Sequence, residues 1–121
     1  MGAVTLEQWA AKTNKSLESA DRAIKLMILT DLVMNTRVDT GRLRGNWQVS
    51  ETTPKDYSIL REDKSGGLVI AQEKPNITPA SLTWFVNNLA YAPVWNERDA
   101  ILAKARARVN QIVRLAISEV K

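Results

Sequence analysis

Between Ala23 and Met34 the chain places Ala23, Ile24, Leu26, Met27, Ile28, Leu29, Leu32, Val33 and Met34 around only three polar positions. Upstream, Trp9, Leu17, Ala20 and Ile24 recur at the spacing of one helical face, with Lys15, Glu18, Asp21, Arg22 and Lys25 on the wet side. Thr5 followed by Gln8 fits a capping box at the start. The pattern predicts one long helix ending near Asn35. Its second half is apolar on several sides, so a sheet, a second helix or another subunit has to cover it.

Downstream the period changes. Asp39-Thr40-Gly41 reads as a turn, with Asp39 placed to accept a backbone N–H two residues on. Leu43 to Ser50 then alternates as a strand, with Leu43, Trp47 and Val49 on one face. Tyr57–Leu60 offers a short pairing segment. Lys64-Ser65-Gly66-Gly67 is a turn, and Leu68-Val69-Ile70-Ala71 reads as a buried strand. Leu82 to Asn88 alternates as the last strand, which predicts core positions for Trp47 and Trp84. The chain closes on an amphipathic helix whose stripe includes Ile101, Ala105, Val109 and Ile112. The order predicts an α+β fold: a long N-terminal helix, a three- or four-stranded antiparallel sheet, and a C-terminal helix packed on the same sheet face. With 121 residues and no internal repeat or linker, one domain spanning 1–121 is expected.

Composition removes most chemistry. The chain has no cysteine and no histidine, so thiol nucleophiles, thiolate or imidazole metal sites and serine triads are excluded. The carboxylates form no evident acid–base pair: Glu7, Asp21, Glu51, Asp56, Glu62, Asp63 and Glu73 read as solvated charge. Glu62-Asp63 beside Gly66-Gly67 could meet a hard cation, but lacks the alternating ligands of a calcium loop. Ser65-Gly66-Gly67 lacks the Gly-Lys-Ser/Thr of a phosphate loop. We therefore expect no catalysis, cofactor, metal or small-molecule substrate. Nor does the start read as a secretory leader, or any apolar run as a membrane span.

Two surfaces invite partners. Tyr91, Pro93 and Trp95, with Asn88 just before, read as an aromatic loop of the kind that anchors interfaces. Lys104, Arg106, Arg108 and Arg114 give the last helix a basic face, able to neutralise phosphate or acidic protein surface. The net charge is only +4, from 17 basic and 13 acidic residues.

The most specific stretch is Arg37-Val38-Asp39-Thr40-Gly41-Arg42-Leu43-Arg44-Gly45-Asn46-Trp47. It resembles the signature of the tail-completion, or neck, proteins of long-tailed bacteriophages, the family of the lambda-like minor tail protein Z. Members typically show a long first helix, then a Val-Asp-Thr-Gly-Arg-Leu-Arg segment entering a strand that ends near Trp. Val86-Asn87-Asn88-Leu89-Ala90-Tyr91-Ala92 and Arg108-Val109-Asn110-Gln111-Ile112-Val113 are similar to two later blocks of the family, in the same order. After Tyr91 the chain departs from the pattern, replacing a Glu-x-Gly segment and loop with Ala92–Arg98.

The resemblance implies a non-enzymatic virion subunit, made in the host cytoplasm and assembled at the head–tail junction. It implies a ring of copies, a hexamer being one form, against neighbours such as a terminator or head-closure protein, with DNA passing through. The other reading is a small nucleic-acid-binding module similar to a double-stranded RNA-binding domain, which also places basic residues on its last helix.

Overall fold

The computed structural model describes residues 6–79 and 81–118. Thr5 and the side chains of Trp9, Arg106, Val109 and Ile112 lie outside the described residues. Helix α1 runs Leu6–Asn35 and is followed by the single turn α2, Arg42–Gly45. Strand β1 spans Trp47–Glu51, and α3, Gly67–Glu73, continues into a 3-10 turn over Lys74–Asn76. Strand β2 is Thr83–Asn87, α4 is Ala92–Arg98 and α5 is Ile101–Ser118. The fold is mixed α+β, with fewer strands than the sequence pattern suggests.

The sheet is a single antiparallel pair, with Trp47 opposite Asn87, Val49 opposite Phe85 and Glu51 opposite Thr83. One buried cluster joins Leu29, Leu32 and Val33 of α1 to Trp47 and Val49 of β1, Val69 of α3, Ile77, and Ile101 and Ala105 of α5, with Phe85 packed against it. The apolar half of α1 is thus covered by sheet and helices together. Arg108 of α5 makes an ion pair with the buried Asp31 of α1. At the end of α1, Trp47 donates its indole N–H to Thr36 Oγ1 at 2.8 Å.

Three strand expectations are corrected. Leu43 and Arg44 belong to α2, and the strand starts only at Trp47. Leu68–Ala71 lies in α3, because Asp63 and Ser65 supply its first turn with acceptors. Asp63 Oδ2 accepts the Val69 N–H at 2.9 Å, and Ser65 Oγ accepts that of Gly67 at 3.1 Å.

Tyr57–Leu60 forms no ladder. It runs beside β1 through side chains instead: Asn46 Oδ1 accepts the Ile59 N–H at 2.8 Å, and Gln48 Nε2 donates to the Tyr57 carbonyl at 2.6 Å. Further along that edge, Arg61 donates to the carbonyls of Trp47 and Gly45, both at 2.7 Å. Glu73 Oε1 accepts the Val49 N–H at 2.7 Å. Groups that a third strand would have paired are satisfied by an ion-paired arginine and glutamate, Arg61 NH1 to Glu73 Oε2 being 2.9 Å. Trp84 is the other departure. It points away from the core, is 38% exposed, and donates to the Thr52 carbonyl at 2.9 Å.

Asp63 and Glu73 are buried, so neither is the solvated charge expected of it. For Asp63, burial alone would push the carboxyl upward. Hydrogen bonds from the Val69 N–H, the Ser65 hydroxyl and the Gly66 and Leu68 N–H groups outweigh it and hold the carboxyl below its ordinary value. A carboxyl lowered by folding contributes stability that is complete above its unfolded value and is lost as pH falls through its folded one. Asp63→Asn should therefore cost about 2 kcal/mol at neutral pH. That difference from the parent should shrink as urea titrations are taken below the ordinary carboxylate range; a gap independent of pH would contradict the arrangement.

Candidate functional site

The segment 37–47 divides between two tasks. Its inward half builds the fold. Leu43 is buried in a second apolar cluster with Leu89 and Ala92. Arg44 turns back onto the end of α1, donating to the carbonyls of Met34 at 3.0 Å and Thr36 at 3.2 Å, and to Lys64 at 2.6 Å. A cation placed on the last carbonyls of a helix also complements its dipole. The turn bond two residues on is accepted by Thr40 Oγ1, from the Arg42 N–H at 3.2 Å, and not by Asp39.

The outward half opens onto a cleft. Arg37, Val38, Asp39, Thr40, Arg42 and Leu43 line one side of a space of about 630 Å³, and Glu62, Tyr91 and Trp95 complete it. The two segments singled out in the sequence, the turn and the aromatic stretch, thus meet across one surface. Val38 and Tyr91 are each 41% exposed there.

Trp95 stands in α4, not in a loop, and packs against the cluster of Leu43, Leu89 and Ala92. The Arg37 guanidinium lies 4.0 Å from its ring centroid, and that of Arg98 lies at 5.0 Å. Arg37 also makes a two-pronged ion pair with Asp99, Nε to Oδ2 at 3.0 Å and NH2 to Oδ1 at 2.8 Å. Those hydrogen bonds hold the Asp99 carboxyl below its ordinary value; burial opposes them, and the charges of Arg37, Lys104 and Arg98 add to them. Arg37 is raised in turn, chiefly by the same bond. The clamp fixes the α4–α5 junction to the chain just after α1.

Other expected site residues are placed elsewhere. Asn88 is partly buried and donates to the carbonyls of Lys55 at 2.7 Å and Tyr57 at 3.2 Å, so it ties β2 to the segment after β1. Its neighbour Asn87 donates to the Leu43 carbonyl at 2.7 Å, tying β2 to α2. Pro93 is exposed and borders a second cleft, of about 590 Å³, with Trp47, Phe85 and Asn96. The basic face is divided: Arg108 is committed to Asp31, whereas Lys104 and Arg114 are exposed. Among the described residues no group of three acidic side chains gathers as metal ligands. No described helix is long and apolar enough to cross a membrane.

Sequence reasoning missed the Arg37–Asp99 clamp. Its members lie 62 positions apart, and each reads locally as one more surface charge. No family model, curated protein or solved structure matches the chain.

Proposed function

We propose that the chain is a structural subunit of the head–tail junction of a long-tailed bacteriophage, working in a ring of copies that connects tail to neck. The observation that carries this reading is the cleft in which the Arg37–Leu43 turn faces Tyr91 and Trp95. The turn that resembles neck proteins and Tyr91, near the end of the second similar block, come together with Trp95 of the divergent stretch on one surface that combines exposed apolar groups with charge. Such a mixture suits contact between proteins. The clamp of Arg37 on Asp99 and Trp95 keeps that surface rigid before any partner arrives, which lowers the ordering cost of assembly.

The nucleic-acid reading gains no support. The described sheet has two strands, and Arg108 of the basic face is turned into an ion pair with α1.

Removing the gene from the virus should leave DNA-filled heads and finished tails that fail to join. Tyr91→Asp should reproduce that defect while the purified subunit keeps its melting temperature, because the side chain is exposed and the new charge lands on the cleft rim. Trp95 is unsuitable for this purpose, since its ring also packs inside the subunit. Electron micrographs of lysates and plaque counts read both results. Normal infectious yield from the deletion rejects the assignment; normal yield from Tyr91→Asp alone moves the contact off this rim.

A further inference from the structure

The Arg42 main chain is fully engaged: its N–H goes to Thr40 Oγ1, and its carbonyl accepts from Asn46 Nδ2 at 2.8 Å. Its guanidinium is not. Nε is buried with no acceptor, and among the described residues the group takes part in no ion pair, although it lines the cleft beside Val38, Tyr91 and Trp95. The other guanidinium in the cleft, Arg37, is already occupied by Asp99 and the Trp95 ring. The cleft therefore offers one uncommitted planar cation next to apolar and aromatic surface.

We infer that this cleft receives a single carboxylate side chain from a partner protein, with Arg42 as its anchor. A guanidinium matches a carboxylate with two parallel hydrogen bonds, and such bonds gain strength beside apolar walls that exclude water. The lining decides against a nucleic-acid backbone. Asp39 and Glu62 line the cleft with Arg37 and Arg42, and Arg37 is already paired with Asp99, so a run of phosphates would meet two carboxylates for the one uncommitted guanidinium. A segment with one carboxylate, an apolar residue for Val38 and Tyr91, and a lysine for Asp39 or Glu62 complements the whole surface. The inference rests on reading the cleft as an interface and is independent of the virion assignment.

The probes are N-acetyl-Leu-Glu-Lys-amide, its Leu-Gln-Lys counterpart and a short DNA duplex, each titrated into the isolated subunit. The Trp95 indole and Arg42 Nε–H signals are followed by NMR. The Glu peptide should move both signals to saturation, and the Gln peptide should bind about tenfold more weakly or worse. Arg42→Gln should erase that preference while the melting temperature holds, and Arg42→Lys should keep part of it, since the charge remains and the fork is lost. Equal binding of the two peptides overturns the inference, as does a preference that survives in Arg42→Gln. Displacement of the Glu peptide by the duplex, moving the same signals further, would replace it with a phosphate site. A deletion virus of normal yield would remove the neck reading and leave this result standing.

Discussion

Arg61→Leu is expected to lower the stability of the subunit by about 3–5 kcal/mol, the usual cost of stranding one member of a buried ion pair. The side chain of Arg61 is 10% exposed and that of Glu73 7%. Removing the guanidinium leaves the Glu73 carboxylate buried, with Lys55 only at 4.0 Å, and leaves the Trp47 and Gly45 carbonyls without their donor. An ordinary buried pair can often be exchanged for two apolar residues at little cost. This one should resist the exchange, because Glu73 also accepts the Val49 N–H. The double variant Arg61→Leu/Glu73→Leu should remain at least about 2 kcal/mol below the parent, since backbone groups at the strand edge stay unpaired. Urea unfolding of the two single variants and the double one completes the cycle. A loss under about 1 kcal/mol for Arg61→Leu would mean that water, not arginine, satisfies that edge.

The same pair explains why the sheet was harder to read than the helices. The long first helix and its end at Asn35 follow from period and length, and a strand through Trp47–Val49 follows from alternation. Strand number depends on what pairs with the free edge of β1, and that was decided by Arg61 and Glu73, more than ten residues away in sequence. Leu68–Ala71 misled for a related reason. Four apolar residues fit a buried strand or a short helix equally well, and the choice rests with Asp63 and Ser65 capping the turn before them. A Ser two residues after an Asp and just before Gly-Gly was the available signal.

At the site, the residue types of the Arg37–Leu43 turn and of Tyr91–Trp95 were legible as an unusual turn and an aromatic anchor. Their meeting was not, because it depends on α2 and α4 sharing the cluster of Leu43, Leu89 and Ala92. Arg42 and Arg44 are alike in sequence and opposite in fate. One opens onto the cleft; the other closes the end of α1.

Gly41→Val should destabilise the subunit by roughly 3 kcal/mol or more, from strain and overlap together. Gly41 sits at φ +89°, in the left-handed region that a β-branched residue strongly avoids. Space is lacking as well. A Cβ there would lie 2.7 Å from the Lys64 nitrogen and 2.8 Å from both the nitrogen and the carbonyl carbon of Asp63, and backbone atoms cannot swing aside as a flexible side chain would. The Gly41 carbonyl accepts the N–H of Gly45 at 2.8 Å and of Asp63 at 2.9 Å, so a shift of the turn would break both bonds. Gly45 faces the same segment, and a Cβ on it would overlap the Arg61 carbonyl. The two glycines bring α2 down onto residues 61–64, which carry Arg61 to the strand edge and Asp63 to the start of α3. Displacing that segment should therefore loosen the sheet edge and the cleft wall together. In hydrogen exchange, Gly41→Val should expose the Val49 and Val69 amides along with the turn. A melting temperature equal to the parent's, or exchange confined to residues 39–42, would show that the turn yields locally and does not position the rest.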